Sequence, residues 1–291
     1  MFVITRVRAS LTTLSLVFAA HLADAPSAFA QSASGMRAPP PLAPSADPYR
    51  GYEALLRAVV RGRGVDYTAL RARIGELRAF CEWLAANGPT ATPAAFNSAP
   101  SRLAYWLNAY NATVLRAIAE SPPTMRNVMQ AAPNSGFFRA RTHRVDGRSI
   151  TLDAIENREV RERFQDARVH AALNCGAQSC PPLSSQAFRA RTVQAQLDRL
   201  ATAWINGGAV TLDASARVLR VSSLFQWFSA DFTRVPAGRP AVSGGAQGPM
   251  RFVQSYAAPA LRASIEAACG VDLSRCRVEH VAYDWSLNEA R

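Results

Sequence analysis

From Tyr49 to Ile118 the apolar residues of this chain recur at helical spacing, and after His143 the spacing shortens to that of paired strands. Tyr52, Leu55, Leu56, Val59 and Val60 mark an amphipathic helix over 49–61 that stops at Gly62-Arg63-Gly64. Leu70, Ile74, Leu77, Phe80, Cys81 and Leu84 mark a second over 67–87, ended by Gly88-Pro89. A third follows Pro100, carries Leu103, Trp106, Leu107, Tyr110, Val114 and Ile118, and stops at Ser121-Pro122-Pro123. Asp146-Gly147 between 143–145 and 149–152 signals a hairpin. A short helix over 153–164, a strand over 169–173 and a helix over 192–206 are expected next. A second hairpin folds around Asp213-Ala214-Ser215, followed by helices over 224–232 and 250–268 and a final strand over 277–285. Helices with small antiparallel pieces between them predict an α+β fold, a mainly helical single domain with small hairpins.

The two ends differ in kind. Residues 1–30 read as an export signal: Arg6 and Arg8 precede a short apolar run over 11–20, and Ala28-Phe29-Ala30 offers small residues for cleavage after Ala30. Ala23-Asp24-Ala25 is a rival site, disfavoured by Pro26. The apolar run is shorter than the roughly 20 residues that span a bilayer, so no integral membrane segment is expected after cleavage. Residues 31–47, with Pro39, Pro40, Pro41 and Pro44, read as an extended linker, and 48–291 as the folded domain, in which 241–248 (AVSGGAQG) is a loop. The mature protein is expected in a periplasm or outside the cell.

The formal charge is +12, and every one of the 33 basic side chains is arginine. Those arginines are scattered, with no run and no stripe interleaved with aromatics, so no nucleic-acid partner is expected. No Gly-rich phosphate loop and no G-x-S-x-G elbow occurs, which removes support for nucleotide-dependent and serine-hydrolase chemistry.

Chemistry concentrates in 169–183, VHAALNCGAQSCPPL, where His170, Cys175 and Cys180 lie close together before a double proline. Three readings are open. Cys175 serves as a nucleophile if His170 stabilises its thiolate, with Asn174 near a developing oxyanion and Asp284 orienting the imidazole. Alternatively Cys175 and Cys180 form a disulfide, as nearby thiols do in an oxidising compartment, with Cys269 and Cys276 a similar pair and Cys81 a core thiol. Zinc bound by His170, Cys175 and Cys180, with His143 or His280 as a fourth ligand, is the third; the spacing departs from C-x₂-C, and no metal is expected. Thiol–disulfide exchange is weakened because redox motifs use C-x-x-C. Asn108 and Asn111 need partners if buried in an apolar helix. They either tie the helix to a neighbouring loop or polarise a substrate carbonyl. Asp231, near the end of the aromatic helix, reads as a hydrogen-bond hub, and Asp284 beside Trp285 as a hub or part of a cleft.

Four stretches in order, YWLNAYNA (105–112), VHAALNCGAQSCPPL (169–183), LFQWFSADF (224–232) and YDWSLN (283–288), resemble the family catalogued as domain of unknown function 547, found in bacterial exported proteins and in plants. The family name implies no activity. A distant likeness to papain and transglutaminase folds lies in the order of a motif helix, His170 and Asp284, although that helix bears asparagines where those enzymes place cysteine.

These readings lead to an exported thiol-centred hydrolase or acyl transferase acting on amide or peptide-like substrates, with Cys175, His170, Asp284 and Asn174 at its centre. The alternative is a non-catalytic periplasmic binding or scaffold domain stapled by Cys175–Cys180. Asn108, Asn111, Cys180, Asp231 and Trp285 support or line the site. The expected partner is an unidentified small-molecule or peptide ligand, with no cofactor.

Overall fold

The computed structural model describes residues 47–130, 136–233 and 248–290, all within the compact unit Ala43–Arg291. The export signal, its cleavage sites and nearly all of the linker fall outside the described residues, as does the loop over 241–247. Among the described residues no helix is long and apolar enough to cross a membrane.

Helix α1 (Pro48–Val59) is capped by Asp47, whose carboxylate accepts from the Tyr49 N–H, and leads into the short pair β1 (Val60–Arg61) and β2 (Gly64–Val65). The single helix expected over 67–87 is two, α2 (Tyr67–Ala72) and α3 (Ile74–Ala86). Arg73 leaves helical geometry at φ −109° and ψ 20°, and Gly75 just beyond it weakens the helix at the break.

Helix α4 (Ala99–Ala119) is the centre of the larger core. It starts with a reciprocal capping box between Ser98 and Ser101 and has Pro100 in its first turn. From Leu103 to Leu115 every residue is buried, so the helix is enclosed on all sides. Enclosure makes its polar side chains expensive unless paired. Asn108 answers this by exchanging hydrogen bonds with Phe188, Nδ2 donating to the carbonyl at 2.8 Å and Oδ1 accepting from the N–H at 2.9 Å. Asn111 donates to the Ala172 carbonyl at 2.9 Å and accepts the Asn174 N–H at 2.9 Å. Two amides on one helix thus hold both ends of the loop that carries Cys175 and Cys180.

Helix α5 (Gly136–Arg139) precedes the hairpin of β3 (Thr142–Val145) and β4 (Arg148–Thr151). Asp146 and Gly147 both adopt positive φ at its turn, as the Asp-Gly signal requires, and Asp146 Oδ1 accepts the N–H groups of Thr90 and Ala91. Helix α6 (Leu152–Ala154) runs on as a π-helical stretch over Ile155–Glu162. The strand expected over 169–173 is instead a 3₁₀ helix, Ala167–Ala171, capped by the Asp166 carboxylate on the Arg168 N–H. A short apolar run buried on all sides has no period that separates strand from helix, and the cap decided it.

Helix α7 (Val193–Trp204) leads to β5 (Val210–Asp213) and β6 (Val218–Ser222), then α8 (Leu224–Trp227) and a 3₁₀ turn at Asp231–Thr233. Asp231 therefore opens a helical turn rather than closing the aromatic helix. The helix expected over 250–268 divides into α9 (Pro249–Tyr256) and α10 (Pro259–Cys269), because Pro259 forces Ala258 into extended geometry at ψ 154°. Strand β7 (Arg277–Val281) joins β6 in parallel, giving a three-stranded sheet with one parallel pair where only antiparallel pairing was expected. A second core cluster fills the space between this sheet and α7 to α10.

The final strand ends at Val281 rather than at Trp285. Residues 283–290 then lace across the surface of the first core: Gln178 donates to the Ser286 carbonyl, Val128 to Trp285, Leu287 to Arg126, and Asn288 to Gly176. Gly176 itself is at φ +81°, and a Cβ there would lie 2.3 Å from Ile118 Cδ1, so any other residue in the turn after Cys175 would be strained.

Replacing Asn111 by alanine strands the Ala172 carbonyl and the Asn174 N–H in the core. At about 1–3 kcal/mol for each unpaired group, urea unfolding of Asn111→Ala is expected to show a loss of roughly 2–6 kcal/mol. An unchanged midpoint would mean that the cysteine loop is held by something else.

Candidate functional site

A cavity of about 350 Å³ opens at the seam between the two core clusters, where Tyr283 packs against both. One side is the π-helical stretch, which turns Glu156, Asn157 and Arg161 towards the opening. The other is the cysteine loop together with His170. π-helical turns present a row of side chains that a regular helix would spread round its axis, and they recur at functional sites for that reason.

Glu156 sits at the base of the cavity, where Tyr110 donates its hydroxyl at 3.0 Å. Part of its surface faces the opening, yet protein surrounds the carboxyl closely enough that burial raises its pKa. Attraction to His170, the Tyr110 hydrogen bond and Arg161 only partly offset that rise.

His170 is 3% exposed, stacks on Phe228 at 4.5 Å and places Nε2 2.7 Å from Asp231 Oδ2. Asp231 also receives Arg161 Nε at 2.6 Å. Burial would raise the Asp231 pKa, but the hydrogen bonds from His170 and Arg161 outweigh it and hold the carboxyl at about 2. An ionised carboxylate only accepts, so Nε2 of His170 carries a proton and, in the neutral ring, Nδ1 holds the lone pair. Arg161 is itself fixed, with its guanidinium 4.3 Å over the Phe228 ring and hydrogen-bonded to Asn157.

Asp284, expected to orient the imidazole, is exposed and engaged elsewhere: its N–H donates to Ser179 Oγ and its carboxylate accepts from the Ser286 N–H. Asp231, expected to be a hub, is the acid that meets His170. Asn174, expected as an oxyanion donor, is buried and spends its amide on the loop, donating to the Pro181 carbonyl at 2.8 Å and accepting from the Gly176 N–H at 3.0 Å. The papain-like arrangement of Cys175, His170 and Asp284 is therefore not assembled.

Cys175 and Cys180 are joined in a disulfide with their Cα atoms 6.2 Å apart, and Cys269 and Cys276 form a second. Two such bonds fit maturation in an oxidising compartment. Cys81 is a buried free thiol whose pKa burial pushes up to about 12. Sulfurs bonded to each other are not thiolate ligands, and among the described residues no group of three or more His, Cys, Asp or Glu side chains is placed to hold a metal ion.

The mouth is aromatic. Trp227 and Trp285 stack at 5.9 Å, and Tyr283 lies between 4.6 and 5.0 Å from both; Trp227 remains 48% exposed. An exposed tryptophan at a cavity rim offers a flat apolar contact surface.

Several of these side chains gave no sequence signal. Tyr110 and Tyr283 lie inside the motif stretches but look there like core aromatics, and Glu156 and Arg161 lie outside them in a segment that reads as an ordinary amphipathic helix. Residues 95–205 match the model of the family described as Protein of unknown function, DUF547. That span holds α4, the π-helical stretch, His170 and both cysteines of the loop, and excludes Asp231, Trp227 and Tyr283. No curated protein and no solved structure matches the chain.

The raised pKa of Glu156 fixes a sign. Its protonated form favours the folded state, so its contribution is fully present below the ordinary value of 4.5 and is lost as pH rises through the folded pKa. Glu156→Gln is neutral at every pH. Thermal melts from pH 4 to pH 8 are therefore expected to show the variant gaining on the parent chain as pH rises; parallel curves would remove the buried-acid assignment.

Proposed function

We propose from the cleft alone that this chain, whose residues 95–205 match a family described without an activity, is an acid–base hydrolase or acyl transferase of amide or peptide-like substrates. The observation that carries this is the pairing of Glu156 with the His170–Asp231 dyad on one cavity. Burial raises the pKa of the Glu156 carboxyl while hydrogen bonds from His170 and Arg161 lower that of Asp231, so the two carboxyls suit different tasks, a proton donor and an ionised group behind the imidazole. Asp231, ionised, keeps His170 in the tautomer that leaves Nδ1 basic, so the imidazole takes a proton from an attacking water or hydroxyl. Glu156, whose carboxyl burial shifts towards the protonated form, returns a proton to the leaving group.

The thiol-centred form of this chemistry lacks a nucleophile while Cys175 is in its disulfide. The Glu156–His170 form does not need one. Trp227, Trp285 and Tyr283 would hold the ligand's apolar face, and Arg161, fixed by Asp231 and Phe228, would present positive charge to a carboxylate or a developing oxyanion. Export to a periplasm or the cell exterior accords with the two disulfides.

The test is hydrolysis of a panel of aminoacyl p-nitroanilides and p-nitrophenyl esters by the mature chain. Glu156→Gln and His170→Ala are each expected to lower kcat by about 10²–10⁴, the range of positioned acid–base groups, while Trp227→Ala raises KM with a smaller effect on kcat. Turnover unchanged in both Glu156→Gln and His170→Ala refutes the assignment. Saturable binding without turnover by the parent chain leaves the non-catalytic binding domain as the reading of the cleft.

A further inference from the structure

The acid–base chemistry leaves the disulfide in the cavity wall unused, and its surroundings differ from those of a structural staple. We propose that Cys175–Cys180 is a thiol-exchange site, at which a thiol-bearing small molecule or short cysteinyl peptide attacks Cys175 Sγ and expels Cys180 as a thiolate.

Access selects the sulfur that is attacked. Both cysteines line the cavity, but Cys175 is partly exposed, whereas Cys180 is 4% exposed. Hydrogen bonds select the sulfur that leaves. Cys180 Sγ accepts the Cys175 N–H at 3.0 Å and shares the Tyr283 hydroxyl, 3.2 Å away, with Cys175 Sγ, so the backbone donor marks Cys180 as the atom on which negative charge would develop and the hydroxyl adds to it. A disulfide sulfur has no proton to give, which makes Tyr283 the donor in both this contact and its 3.3 Å approach to Cys175 Sγ. Burial raises the Tyr283 pKa and keeps that donor protonated well into alkaline solution. A better stabilised leaving thiolate departs faster, and this pair of donors acts in that sense. Cys269–Cys276 provides a contrast within the same chain. It lies away from the cavity with Cys269 fully buried, and neither of its sulfurs accepts a hydrogen bond from a described residue.

The step balances without an added oxidant. The incoming thiol loses its proton, its sulfur bonds to Cys175 Sγ, the bond between Cys175 and Cys180 breaks, and Cys180 takes the electron pair. The product is a mixed disulfide at Cys175 beside a free Cys180. A second thiol attacking the ligand sulfur of that mixed disulfide releases the oxidised ligand and leaves two protein thiols; the ligand pair has lost two electrons and the cysteine pair has gained them. The loop is built to survive the cut, because Asn174 stays bound to Asn111, Pro181 and Gly176, and Pro181-Pro182 stiffens the far side. The exchange needs neither Glu156 nor His170, so its failure and that of the acid–base reading are separate results.

The experiment treats the oxidised mature chain with reduced glutathione, quenches with acid, caps free thiols with N-ethylmaleimide and maps the peptides by mass spectrometry. Glutathione is expected on Cys175 and maleimide on Cys180, with Cys269–Cys276 still closed. Glutathione on Cys180, or opening of Cys269–Cys276 ahead of this pair, overturns the proposal. Tyr283→Phe removes one of the two donors and is expected to slow adduct formation roughly three- to tenfold, the rate equivalent of one net hydrogen bond, with no change at Cys269–Cys276. An adduct rate equal to that of the parent chain overturns the leaving-group argument. If Tyr283→Phe fails to fold, the site of the adduct in the parent chain decides the matter by itself.

Discussion

Enclosure of α4 is the constraint from which the rest of this structure follows. A helix with apolar neighbours on every side contributes most of its stabilisation through burial and tolerates polar groups only where each hydrogen-bonding atom has a partner. Asn108 and Asn111 meet that condition by bonding to backbone at Phe188, Ala172 and Asn174. The consequence reaches beyond α4. A loop with little regular structure of its own acquires fixed coordinates at both ends, and the disulfide and His170 acquire them with it. The same helix supplies Tyr110 to Glu156, from a position between the two asparagines. One buried element therefore positions the acid and the disulfide, while His170 enters the cavity from the short 3₁₀ helix that precedes the loop.

The second half of the chain completes the site from the opposite side. Asp231 reaches His170 from the turn after α8, and Tyr283 and Trp285 come from the segment after β7. The sheet matters here because β7 lies parallel to β6, so the chain leaves its end at Val281 and passes along the cysteine loop. An antiparallel β7 would send residues 283–290 the other way. The parallel pair is thus a condition for placing Tyr283 beside the sulfurs, and the backbone bonds of Gln178, Leu287 and Asn288 hold the segment in place.

What could be read from residues alone divides along this line. Local chemistry was legible: helix α1, the Asp146-Gly147 hairpin, the long helix after Pro100 and the α+β class all rest on period and turn residues that act within a few positions. The cysteine and histidine segment was legible as a place. Its internal form was not, because the residues over 169–173, a histidine among four apolar side chains and all of them buried, carry no period, and the Asp166 cap on the 3₁₀ helix looks in sequence like any loop acid. The break at Pro259 was written in the chain and follows from the residue before a proline. Partner choice was illegible for a different reason. Asp231 and Asp284 are equally plausible orienters by type and by their aromatic neighbours, and only the path of the chain after β6 decides which meets His170.

That path also explains why the cavity combines chemistry that sequence reasoning had assigned to one group of residues. Cys175, His170, Asn174 and Asp284 had been joined as nucleophile, base, oxyanion donor and orienter, yet the fold sorts them into separate tasks. Asn174 holds the loop, Asp284 ties the C-terminal segment to Ser179, and Cys175 is bonded to its neighbour. His170 alone keeps a carboxylate partner of the expected kind, Asp231 in place of Asp284, and shares its cavity with Glu156. The π-helical stretch sets Glu156, Asn157 and Arg161 along one cavity wall, whereas at a regular 100° per residue Glu156 and Arg161, five positions apart, would diverge by about 140°. The irregular turn costs local backbone stability, and Arg161, held by Asp231, Asn157 and the Phe228 ring, secures the end of the stretch against relaxing to a regular helix. The cavity's acid and the geometry of its base thus share one arginine, which couples the shape of the π-helical stretch to the charge on Asp231.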